Sequence, residues 1–91
     1  MSHTARQKTK LLARVRRIRG QVEAVERALE AEAGCTDILH LLAASRGAMN
    51  GLMLEVIDDH VREHVAAGDL SQAARTEGAD ELLDVIRSYL K

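Results

Sequence analysis

The chain has 91 residues, 46% of them apolar, a formal net charge of −1, one cysteine, no proline and a single aromatic residue, Tyr89. This length admits one domain, residues 1–91, and buries too small a fraction of its surface to be comfortably stable alone; a single cysteine excludes an internal disulfide, so self-association is the expected remedy. No apolar run approaches the roughly 20 residues that cross a bilayer, no leader pattern opens the chain, and a lone thiol suits a reducing compartment, so a bacterial cytoplasmic protein without membrane contact is expected.

The near-neutral total conceals a separation. Residues 1–22 carry Arg6, Lys8, Lys10, Arg14, Arg16, Arg17 and Arg19 and no acid, whereas the remainder carries fourteen acids against six bases. A basic front of this kind points to a polyanionic partner.

The absence of proline and the abundance of Ala, Leu, Arg and Glu predict an all-α fold. Leu11, Val15, Ile18, Val22, Val25 and Leu29 recur at alternating steps of four and three, the pattern of an amphipathic helix that packs on another, so the first helix is expected over 4–32. Gly34 suits the left-handed position after its end. A second helix, expected over 35–66 and stopping near Gly68, carries two apolar stripes. One is Ile38, Leu42, Ser45, Met49, Leu52 and Val56; the other, of smaller residues, is Leu41, Ala44, Ala48 and Gly51. Two stripes imply two buried faces, one against the first helix and the small-residue one against a second copy. The third helix, expected over 72–90, places Leu82, Val85, Ile86, Tyr89 and Leu90 on one side, with Gly78 as an interruption near its start. A short connection around Gly34 makes the first two helices a long antiparallel hairpin, to which the short third helix is added.

His60 and His64 are four residues apart, so both imidazoles leave one helix face a turn apart, a spacing that chelates a transition metal. Cys35 opens the same helix. At ~1.5 Å per residue it lies roughly 37 Å from His60, whereas bonds to a metal are ~2.0–2.3 Å long, so thiolate and imidazoles cannot share an ion within one chain. Antiparallel pairing of this helix with its own copy about a two-fold axis brings each Cys35 to the partner's imidazoles. In a hairpin of nearly equal arms, residue 3 lies beside residues 60–64, so His3 closes the set, with the Ser2 amine beside it once Met1 is removed. His40 has no partner at ligand spacing and reads as an ordinary surface residue.

These features together resemble the CsoR/RcnR-type metal-responsive and formaldehyde-responsive transcriptional repressors. The resemblance spans essentially the whole chain: "MSHT", "LLARVRRIRGQVEAVERALE", Cys35, "AASRGAMNGLM", "EVIDDHVREH" and "SYLK". It is greatest to the nickel/cobalt-sensing branch, whose His, Cys, His, His ligand set matches His3, Cys35, His60 and His64. The copper(I) branch uses two thiolates, and this chain has one cysteine. The formaldehyde branch shares the arginine-rich "RVRRIRGQVEA" and Cys35, but Ser2 and His64 stand where it resembles a proline and an acid. The resemblance implies a tetramer, a dimer of dimers, that holds operator DNA when metal-free and releases it when loaded, derepressing a metal efflux gene.

Three long helices leave no space for a compact helix-turn-helix, so DNA is expected to meet assembled basic faces. Arg14 and Arg17 are the first choices, with Lys8 and Lys10 adding phosphate contacts and Arg46 extending the face on the second helix. Such contacts position the protein, and groove shape supplies much of the specificity. Three imidazoles and one thiolate satisfy tetrahedral zinc; the Ser2 amine and an acid such as Glu63 extend the set toward six-coordinate nickel or cobalt. An enzyme using Cys35 as nucleophile is disfavoured, because no glycine-rich cradle or deep apolar pocket accompanies it.

Overall fold

The computed structural model describes residues 5–90, the side chains from residue 7 onward. Three helices follow one another: α1 (Ala5–Glu30), α2 (Cys35–His64) and α3 (Gln72–Tyr89). The all-α expectation holds, and each helix is within two residues of its expected bounds. The chain forms two compact units, 1–53 and 54–91, so α1 and most of α2 belong to the first, and the last turns of α2 and all of α3 to the second. Among the described residues no helix is long and apolar enough to cross a membrane.

In the first unit α1 packs on α2. Along α1 the sheltered residues include Leu11, Arg14, Ile18, Gln21, Val25 and Ala28, with Ile18, at 6% exposure, the one buried apolar side chain among the described residues. The expected stripe is thus divided: Leu11, Ile18 and Val25 turn inward, while Val15, Val22 and Leu29 form an exposed apolar edge. The seam of α2 is formed by Ile38, Leu41, Ser45, Ala48, Gly51 and Leu52. The seam therefore lies between the two expected stripes and takes half of its residues from each. Ile38, Ser45 and Leu52 of the first stripe and Leu41, Ala48 and Gly51 of the small-residue stripe face inward, whereas Leu42, Met49 and Val56 of the first and Ala44 of the second are exposed. Small residues are favoured at the seam because α1 brings an arginine to it: Arg14 Nη1 lies 3.1 Å from the place a Cβ on Gly51 would take. Arg14 and Gly51 are equally far from the turn at 31–34, as an antiparallel hairpin requires.

That turn closes differently from the sequence expectation. The Ala33 amide bonds the Ala28 carbonyl at 2.9 Å and the Glu32 amide bonds that of Leu29 at 3.1 Å, the paired bonds of a Schellman end. The left-handed residue is Glu32, with φ of 55°, and no described glycine has positive φ. Gly34 instead starts α2, its carbonyl accepting from the Ile38 amide at 3.2 Å. The register follows from the two reciprocal bonds, which place the left-handed residue two positions before the glycine.

In the second unit the Val65 and Ala66 amides both return to the Val61 carbonyl, at 3.0 and 2.8 Å, ending α2 before Gly68. Arg75 Nη2 donates to the carbonyls of Ala67 and Leu70 in the connecting loop, at 3.4 and 3.2 Å. Ser71 caps α3, its hydroxyl accepting from the Ala74 amide at 3.1 Å.

A non-glycine residue in the left-handed region costs roughly 1–2 kcal/mol, and a glycine returns part of that gain as unfolded-state entropy. Glu32→Gly should therefore stabilise the protein by about 0.5–1 kcal/mol, read as a higher urea midpoint at fixed protein concentration; an unchanged or lower midpoint would contradict the strained turn.

Candidate metal centre

His60 and His64 stand on the last turns of α2 with ring centroids 5.0 Å apart and planes tilted by 40°. Both are part-buried. His60 Nε2 is 2.7 Å from the carbonyl oxygen of Gly78 on α3. A carbonyl only accepts, so this nitrogen carries the proton, and in the neutral ring Nδ1 is then the nitrogen with the lone pair. Backbone carbonyls commonly orient metal-binding histidines in this way. His64 Nε2 lies 3.8 Å from Glu63 Oε2, an oxygen that is itself buried and has no hydrogen-bond donor. Arg62, on the outer side of the same turn, donates from Nε to Asp58 Oδ2 at 2.9 Å, and that bond raises its pKa further above the ordinary arginine value.

Gly78 determines how close α3 comes. A Cβ there would overlap the His64 carbonyl and lie 2.8 Å from its carbon, so only glycine lets α3 cross the end of α2 at this height. In sequence Gly78 reads as an interruption of the helix; in the structure it is the point where the backbones of α2 and α3 come close. Asp59, next to His60 in sequence, is buried to 7% exposure.

Cys35 is the first residue of α2, exposed and outside any disulfide, and His60 and His64 close the same helix. Among the described residues of one chain, no three His, Cys, Asp or Glu side chains gather in a way that holds a metal ion. His3 and Ser2 lie outside the described residues. Of the expected ligands, the structure brings together His60 and His64, with the Glu63 carboxylate beside His64. Of the basic residues, Lys8, Lys10, Arg17 and Arg46 are exposed, whereas Arg14 is part-buried on the inner face of α1. Arg46 borders a shallow groove of about 250 Å³ with Leu39, Leu42 and Ala43. His40 is exposed, as expected.

The family described as metal-sensitive transcriptional repressor matches residues 7–88, nearly the whole chain. The chain belongs to that family. Metal-sensitive repressors of this kind bind operator DNA and respond to metal ions or small molecules; they are not enzymes. Similar proteins include the "uncharacterized protein in bioA 5′region" of Serratia marcescens, 55% identical over the full length of both chains. The transcriptional repressor RcnR of Salmonella arizonae is 48% identical, again over the whole of both. Among solved structures, a glutamate-to-histidine variant of the formaldehyde-responsive regulator FrmR from Salmonella enterica serovar Typhimurium is 44% identical. It superposes with a TM-score of 0.88, covering 97% of this chain and 99% of that one. These relatives place the repressor among CsoR/RcnR/FrmR-type proteins without choosing its inducer.

Gly78→Ala sets a gain of about 1 kcal/mol in helix propensity against a clash with backbone. The clash should win, lowering the thermal midpoint, while Gly47→Ala, which has nothing within 4 Å of its new Cβ, should leave it unchanged or raise it. Equal midpoints for the two variants would rule out the close crossing.

Proposed function

We propose that this repressor senses nickel or cobalt, binding operator DNA when metal-free and releasing it when loaded, so that a metal efflux gene is derepressed. The ion is held by His60 and His64 of one protomer, Cys35 of an antiparallel second copy and His3, with the Ser2 amine and Glu63 completing a six-coordinate set. One observation carries this reading. Along α2, positions 35, 39, 42, 46, 49, 53, 56 and 60 fall on a single row at alternating steps of four and three, and His64 follows one turn later. Leu39, Leu42, Met49, Met53 and Val56 of that row are exposed apolar side chains. A row with apolar side chains on both sides of a single arginine, Arg46, a thiol at one end and imidazoles at the other suits pairing with its own copy reversed, because the two ends then meet. The assembly is read as a cytoplasmic tetramer, each chain serving as one sensing and DNA-binding domain. Its phosphate contacts are assigned to Lys8, Lys10, Arg17 and Arg46, with Arg14 part of the same basic helix.

Zinc is satisfied by four ligands and is the weaker inducer in this reading. A formaldehyde-responsive reading is favoured by the exposed Cys35 thiol and the likeness to FrmR. It predicts DNA release by formaldehyde from the protein with His60 and His64 both replaced, whereas metal sensing predicts none.

The cross-subunit site is tested by complementation. Cys35→Ala chains and chains bearing both His60→Ala and His64→Ala each lack thiolate-to-cobalt absorption at the full site; mixed dimers should recover one intact site each. Absence of that absorption in the mixture would refute the geometry.

His3→Ala separates binding from signalling. The ligands on α2 are held by a helix, so the variant should keep most of its metal affinity. DNA release depends on how much better the ion binds the low-affinity form, and closure of the first residues over the metal supplies that difference. Nickel- or cobalt-driven release should fall by a larger factor than metal affinity; full release at saturating metal would show that His3 does not transmit the signal.

A further inference from the structure

Arg14 occupies an unexpected position for a phosphate contact. It sits in the middle of the sheltered face of α1, between Leu11 and Ile18, and is part-buried, while Lys10 and Arg17 on either side of it are exposed. An arginine at a helix seam costs desolvation that a leucine would not. Its partner position carries a second cost, since glycine in a helix interior is unfavourable relative to alanine by roughly 0.5–1 kcal/mol. Gly20 and Gly47, also within helices, have nothing within 4 Å of where a Cβ would be; Gly51 has the Arg14 guanidinium at 3.1 Å. Two locally unfavourable choices therefore meet at one contact: the missing Cβ makes a notch in α2, and the guanidinium lies in it.

The geometry points to Arg14 as a positioning residue for operator binding, its guanidinium docked in the Gly51 notch so as to fix the rotation of α1 about its own axis. Lys10 and Arg17 lie four before and three after Arg14, on the same side of α1, so this rotation sets where their charges point. The inference rests on the reading that exposed bases of α1 contact phosphate. It differs from a phosphate role for Arg14 in one measurable way: a side chain that aims others changes affinity, and a side chain that touches phosphate also changes the number of counterions released.

The test is operator affinity as a function of salt for the full-length, metal-free protein. Arg17→Ala should weaken binding and lower the log–log salt slope by about 0.9 for one lost phosphate contact. Arg14→Ala and Arg14→Met should weaken binding by about tenfold with the slope unaltered, and Arg14→Lys, which keeps charge and stem but loses the planar fork, should be intermediate. Gly51→Leu should fill the notch and weaken binding to the same degree, with no further loss when combined with Arg14→Ala. Gly51→Ala, which asks the guanidinium to move only slightly, should give the same direction at smaller amplitude and serves if the leucine variant fails to fold. A slope reduced in Arg14→Ala as in Arg17→Ala, or full operator affinity in both Gly51 variants, would overturn the positioning role. An unaltered slope in Arg17→Ala would instead remove the reading of the DNA face and this inference with it.

Discussion

One protomer cannot cover its own apolar surface. A helix with an apolar arc much wider than its contact with a single neighbour leaves one edge uncovered. Both long helices are of this kind: α1 leaves Val15, Val22 and Leu29 exposed, and α2 leaves Leu39, Leu42, Met49, Met53 and Val56 exposed. Full burial of such a side chain stabilises by roughly 1.5–3 kcal/mol, so covering the half-exposed row of α2 is worth on the order of 5 kcal/mol per chain, comparable with the whole stability of a small domain. The residues proposed to bind metal lie on that same row. Association and metal capture would then use one surface, and the ion would be bound by a fold that its own formation helps complete.

At the other end of α2, the imidazoles and α3 depend on each other. Gly78 brings its carbonyl to His60 and its Cα against the His64 backbone, so the orientation of one ring and the height of α3 are set by a single residue. If the proposed ion is bound through His60, the contact of this ring with the Gly78 carbonyl would tie α3 to the ligand site. By contrast, the Arg62–Asp58 pair is exposed on both sides and contributes little to holding this region together.

Length, composition and spacing determined the helical class, the three elements to within two residues, the basic front of the chain and the pairing of His60 with His64. These follow from period and from local steric preference, which a linear string records directly. Tertiary structure alone decided which members of the two neighbouring stripes on α2 face α1. The stripes lie about one helical step apart, and the seam falls between them, with Arg14 lying where Gly51 leaves space. It also decided that Glu32, not Gly34, takes the left-handed conformation, because closure is set by the bonds from Ala33 and Glu32 back to α1 rather than by the more permissive residue nearby. The meaning of Gly78 was undecidable from its neighbours in sequence, since what excludes a side chain there is the His64 carbonyl, fourteen residues earlier and brought close only by the fold.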